Sequence, residues 1–227
     1  THSKSLNEHA VILEDDIEIS PQWYKLTQSL WLQYGQENHI AGISLQRQTL
    51  VPLDSVHSKT IELTNRDQHL YLYPVVGSIG FSPHPKVWTE FTFWVHAQDD
   101  STFDVTTPGL LTSTRWNQLD THNVWTQHFI YFCLIRRYFT LYVNVPGGRT
   151  AASHLRAKGA HYQQSVGFDF PVAKSIRLKV PKNISIYDWD GKKIYFPFES
   201  SVQDTLMVNV LIHTAKKMSQ ESGFVYL

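Results

Sequence analysis

Apolar residues fall along this chain in two rhythms. Short, nearly continuous runs mark strands: "HAVILED" (9–15), "HIAGISLQRQ" (39–48), "HLYLYPVVGSIGF" (69–81) and "TLYVNVP" (140–146). The third run reads as a strand broken by Pro74 and opened by Gly77 and Gly80. "HAVILED" has no alternation, the signature of a strand buried on both faces. Longer segments carry large apolar residues at three- and four-residue steps. In "QWYKLTQSLWLQYG" these are Trp23, Leu26, Leu30 and Tyr34 before Gly35, with Ser20-Pro21 as cap and first turn. "PKVWTEFTFWVHAQ" (85–98) and "NVWTQHFIYFCLIRRYF" (123–139), with Trp125, Phe129, Phe132 and Ile135 in step, predict two further helices. "DDSTFDVTTPG" (99–109) predicts a polar loop, and the glycines and basic residues of "GGRTAASHLRAKGAHY" (147–162) a flexible segment. Beyond about Gly167, "NISIYDWDGKKIYFPF" (183–198) predicts a hairpin turning at Asp190-Gly191, followed by a helix over about 202–218. Strands alternating with helices give a mixed α/β class. With no repeat and no linker, we expect one domain over 1–227, a core portion at 1–165 and a hairpin-and-helix extension at 166–227.

Composition narrows the function classes. Twenty basic and twenty acidic residues cancel, so no broad positive field points to nucleic acid. No apolar stretch approaches the ~18 residues of a membrane span. The one cysteine, Cys133, sits inside an apolar run; it forbids an internal disulfide and reads as a buried core thiol.

The chemistry gathers where the first run ends. Glu14, Asp15 and Asp16 follow it directly, and adjacent carboxylates repel unless solvent, a cation or N–H donors face them. Ligands of open α/β sheets bind beyond the carboxyl ends of strands, so a hard cation shared with a substrate's phosphates would suit these acids. The alternative on residues alone is that the triplet caps the following helix or faces solvent.

An apolar strand running into Glu-Asp-Asp, then "ISPQWY" and a helix, resembles the acidic (DXD) block of GT-A glycosyltransferases, family-2-like and N-acetylglucosaminyltransferase-like members included. Residues 12–25, 41–48, 76–91, 124–146 and 150–162 occur in the order of a family-2-like group, and the likeness covers residue 9 to about 168. The first and last of these blocks are the most specific. The resemblance implies a GT-A-like mixed sheet flanked by helices. It also implies a metal-dependent, inverting transfer of sugar from a nucleotide diphosphate sugar donor to a glycan or other hydroxyl acceptor. Such enzymes open with a nucleotide-binding βαβαβ half of about 60 to 90 residues, whereas thirteen residues precede Glu14 here. The chain is therefore expected to hold mainly the second half of that fold, and the alternative is an inactive fragment that binds carbohydrate or protein.

By the resemblance, Asp16 would ligate Mn²⁺ or Mg²⁺, with Asp15 acting through water or on the ribose and Glu14 buttressing. His161 would be the second metal or diphosphate ligand, His154 the weaker histidine candidate, and Arg156 and Lys158 would neutralise the leaving diphosphate. Inversion needs a base for the acceptor hydroxyl. The 99–109 loop offers Asp99, Asp100 and Asp104, and the resemblance favours Asp104, because the family-2-like group has an acidic residue ahead of a "PG" turn there. Gly77, Ser78 and Gly80 would let substrate approach the backbone. Trp116 is a candidate for stacking on sugar; Trp88 and Trp94 read better as core.

Overall fold

A computed structural model describes residues 8–49, 51, 60, 61, 63, 69–98, 105–107, 110, 113, 124–156, 167, 168, 170–178, 181 and 184–195. Among the described residues the order is β1 (Ile17–Ile19), α1 (Trp23–Tyr34), β2 (Ile40–Ser44), β3 (Leu70–Tyr73), β4 (Phe81–Pro83), α2 (Pro85–His96), α3 (Trp125–Arg136), β5 (Phe139–Val143), β6 (Ala152–Arg156), β7 (Gly167–Phe168), β8 (Ser185–Tyr187) and β9 (Lys193–Ile194). This is an α/β fold.

Six strands form one mixed sheet in the order β4-β2-β5-β3-β8-β9, and β1-β6-β7 form a second, three-stranded sheet. In the large sheet β2 and β5 run parallel, with Ile43 opposite Leu141, while β4 and β3 run against them. The carboxyl ends of β2 and β5 therefore share an edge with the start of β4. Alternation sorts the residues of this sheet onto two faces. One face carries Ile43, Leu45, Leu72, Leu141 and Val143 and packs with Leu30, Trp31 and Tyr34 of α1. The other carries Tyr71, Tyr73, Tyr142, Tyr187 and Phe81 and packs with Phe91 of α2 and with Phe129 and Phe132 of α3. Each such large side chain, fully buried, stabilises the fold by about 1.5–3 kcal/mol.

The second face is unusual in its tyrosines. Their hydroxyls reach main-chain oxygens of the connecting loops: Tyr142 donates to Val75 O at 2.8 Å, Tyr73 to Trp189 O at 3.0 Å, and Tyr71 to Gln48 O. Each bond satisfies a polar group that burial would otherwise strand. Burial also pushes the Tyr71, Tyr73 and Tyr142 hydroxyls well above their ordinary pKa, which keeps them as neutral donors.

Helix α1 follows the predicted spacing, but its N-cap is Gln22, which makes no side-chain cap bond. Ser20 acts two residues earlier, its Oγ accepting from Gln22 N at 3.3 Å and its carbonyl from Trp23 N at 3.0 Å. Helix α3 ends at Arg137 in the left-handed conformation (φ 61°), its N–H returning to Leu134 O. Cys133 is a free, buried thiol. Trp88 and Trp94 pack against the aromatic core. The hairpin of β8 and β9 turns at Gly191 (φ 75°), as its Asp-Gly pair requires. The helix expected over about 202–218 lies outside the described residues. No helix among the described residues is long and apolar enough to cross a membrane.

Two expectations fail. Residues 9–13 do not form a strand buried on both faces. Ile12 makes one antiparallel bridge to Phe81 at the sheet edge, and Leu13 is 47% exposed. His9, Ala10 and Leu13 are exposed and only Val11 and Ile12 are half-buried, a fact no local apolar run reports. Residues 152–156 are not flexible: they form β6, which pairs antiparallel with β1 and with β7. The pairing partner stands far away in sequence, so the local glycines and basic residues gave no sign of it.

Candidate functional site

The acidic turn lies between the Ile12 bridge and β1, with Asp15 and Asp16 at its bend. β6 holds it in place. Ile17 faces His154 and Ile19 faces Ala152 across the antiparallel pair. Leu155 N donates to Asp16 O at 2.7 Å. In the same stretch His154 Nε2 lies 2.7 Å from Asp16 Oδ2. An ionised carboxylate has no proton to give, so Nε2 carries the hydrogen and donates it. The His154 side chain is 13% exposed and that of Asp16 43%. The pair is thus anchored on its histidine side and open to solvent on its acid side. Asp15 is exposed and Glu14 half-buried.

The small sheet is fastened to the carboxyl end of β2. Leu45 O accepts from Ala151 N (3.2 Å), Ala152 N (2.9 Å) and Thr150 Oγ1 (3.1 Å), and Gln46 forms a parallel bridge with Ala152. From the same strand end Gln46 reaches the turn that leads into β4. Its Oε1 accepts from Ile79 N at 3.1 Å, and its Nε2 donates to Gln48 Oε1 at 3.2 Å. Arg47, the next residue, donates to Asn144 Oδ1 (2.7 Å), Val145 O (3.1 Å) and Arg149 O (3.3 Å), which ties the end of β5 to its following turn.

The glycines of the 77–80 turn serve these contacts. A Cβ on Gly77 would stand 2.4 Å from Gln46 Cδ, and one on Gly80 3.1 Å from Ala152 Cβ. Gly80 also needs its freedom for φ 65°. The space freed at Gly77 is filled by an amide of this chain, not left open for a substrate. Gly77 is buried, and Ser78 beside it is half-buried.

No protein-family model matches the chain, and no curated protein matches it. Glu14, Asp15 and Asp16 are brought, through β1 and β6, to the same end of the large sheet as Gln46, Gly77 and Ser78. Arg156 closes β6 opposite Gly167. Asp99, Asp100, Asp104, Trp116, Lys158 and His161 lie outside the described residues. Among the described residues no group of three or more His, Cys, Asp and Glu stands close enough to hold a metal ion. Two residues stand out more than their sequence context suggested. His154, ranked behind His161, is the histidine that meets Asp16. Gln46 carries no motif of its own, and its place just past the end of an apolar strand is the one sequence signal for it.

Proposed function

We propose that this chain carries the acidic, metal-holding site of a GT-A-like glycosyltransferase that takes a nucleotide diphosphate sugar with Mn²⁺ or Mg²⁺. One observation carries the reading. The two blocks that most specifically resemble that family, around Asp16 and around His154, are 138 residues apart in sequence and joined by a 2.7 Å side-chain contact. They meet beside the carboxyl ends of parallel strands β2 and β5, where open α/β sheets take their ligands.

The donor set suits a hard cation that keeps several waters and shares one or two carboxylates with substrate phosphates, a binding mode that does not need three protein ligands. Asp16 would hold it, with its exposed carboxylate side outward, and Asp15 would act through water. When bound, such a cation offsets the charge of the departing nucleoside diphosphate. The chain's own residues do the rest. His154 fixes the Asp16 carboxylate by donating to Oδ2, and Leu155 N–H fixes its main chain. Arg156, Lys158 and His161 have the roles the resemblance gives them, on the phosphate side. Asp104 takes the proton of the acceptor hydroxyl.

Isothermal titration of uridine and guanosine diphosphates, with and without Mn²⁺, into wild type and Asp16→Ala tests this. Binding that needs both the metal and Asp16 supports the proposal. Absence of binding in every condition would favour a non-catalytic carbohydrate- or protein-binding module.

A further inference from the structure

We propose that Gln46 is a positioning residue that sets the 77–80 turn against the acidic turn, and that the ligand portion it serves is the sugar of the donor. This rests on the function proposed above and assigns a role to a side chain that the family resemblance does not mark.

Three independent contacts converge on Gln46. Its carboxamide oxygen accepts from Ile79 N at 3.1 Å, its nitrogen donates to Gln48 Oε1 at 3.2 Å, and its main chain bridges Ala152. Ala152 pairs in turn with Ile19 of β1, the strand that leaves the acidic turn. Gln46 therefore touches two elements: the small sheet that carries His154 and follows Asp16, and the turn that carries Ser78. The carboxamide lies so close over Gly77 that a Cβ there would come within 2.8 Å of its carbon, nitrogen and oxygen. A flat amide held at both ends and seated on a glycine is a rigid spacer. Both of its hydrogen-bonding ends are engaged within the chain, so it acts through the 77–80 backbone and Ser78, not by touching substrate.

The division of labour follows. The acidic turn, with its metal, meets the diphosphate. The 77–80 turn, which has no charge to offer, is suited to hydroxyl groups. Loss of the Gln46 amide should then weaken recognition of the sugar and spare that of the diphosphate.

The test measures affinities, with Mn²⁺, for uridine and guanosine diphosphates and for UDP-glucose, UDP-N-acetylglucosamine, UDP-galactose and GDP-mannose. Wild type is compared with Q46M, which keeps length without hydrogen bonds, and Q46E, which keeps an acceptor for Ile79 N–H. We expect Q46M to lose about tenfold of the affinity that the best-bound donor gains over its own diphosphate, as one lost positioning hydrogen bond implies. Affinity for the diphosphate alone should stay within about twofold. Amide hydrogen exchange at Ile79 should speed up in Q46M and stay slow in Q46E, which should also retain the preference for the sugar. If Q46M does not fold, Q46N, whose shorter amide cannot reach Ile79, takes its place. Equal losses for donor and diphosphate, or no loss for either, would overturn the assignment and leave the proposed function standing. If wild type binds none of these compounds, the proposed function falls and the assignment falls with it.

Discussion

Replacing Gly77 with alanine tests the packing of the 77–80 turn against Gln46. The new Cβ would lie 2.4, 2.6 and 2.8 Å from Gln46 Cδ, Nε2 and Oε1, well inside the ~3.5–4 Å of a relaxed contact. Gly77 is not one of the positive-φ glycines, so space alone is at issue. The obstacle is the end of a flexible side chain, which yields by swinging aside and releasing Ile79 N–H and Gln48. The cost is that of overpacking or of leaving a partly buried donor unmade, about 1–3 kcal/mol either way. Gln46→Ala removes the same bonds and should cost about 1–2 kcal/mol. In the double variant the methyl group enters room that the amide has vacated, so the total should approach that of one single variant. The cycle should therefore give a coupling of about 1–2 kcal/mol, with the pair less destabilising than the sum. Urea denaturation followed by tryptophan fluorescence reads this from the midpoints, provided the slopes are unchanged. Additivity within about 0.5 kcal/mol would refute the claim that Gly77 is a glycine because of Gln46.

Asp16→Asn should cost less than about 1 kcal/mol of stability, since the carboxylate is half-exposed and its pair with His154 is screened; a loss of several kcal/mol in thermal or urea unfolding would give Asp16 a structural role instead. Gly42→Ala should cost about 3 kcal/mol or more, because its Cβ would meet the Phe81 ring at 2.4 Å and the Ser82 main-chain oxygen at 2.7 Å, neither of which can leave the β2–β4 ladder; urea unfolding should show it far less stable than Gly77→Ala. Acid should also destabilise the fold. Burial and the nearby His84 lower the pKa of His9, and burial, partly opposed by Glu37, lowers that of His39, from 6.5 in each case. Below 6.5 the unfolded chain takes up protons that the folded chain resists, so the stability these two contribute is complete above that pH and declines as pH falls toward the folded values. The melting temperature should drop between pH 7.5 and 5.5, and drop less in a His9→Gln, His39→Gln double variant; an equal drop would place the acid sensitivity elsewhere.

Most of the local structure was legible. Helix α1 appears where Trp23, Leu26, Leu30 and Tyr34 step along one side, and Leu30 and Tyr34 are buried as that stripe demands. The hairpin of β8 and β9 turns where Asp190-Gly191 supplies a left-handed glycine. The candidate site was legible only in part. Glu14, Asp15 and Asp16 announced themselves by their mutual repulsion, yet nothing near them identified His154 as the partner of Asp16. The "SHLR" segment looked mobile because strand pairing with β1 is written in two distant places, neither of which carries a strong pattern alone. Gln46 looked like one polar residue among several after a strand, since its value lies in what it reaches across the sheet edge.

The sequence by itself determined helices α1, α2 and α3, strands β2, β3 and β5, the β8–β9 hairpin, the mixed α/β class, the buried state of Cys133 and the density of acid at residues 14–16. These follow from periodicity, turn chemistry and charge, which act over a few residues. Only the tertiary structure decided that residues 9–13 lie at an edge, that β6 clamps the acidic turn, that His154 meets Asp16, and that Gln46 reaches Ile79 and Ala152. Those outcomes depend on contacts between segments far apart in the chain, where geometry selects one partner among many that local pattern leaves equivalent.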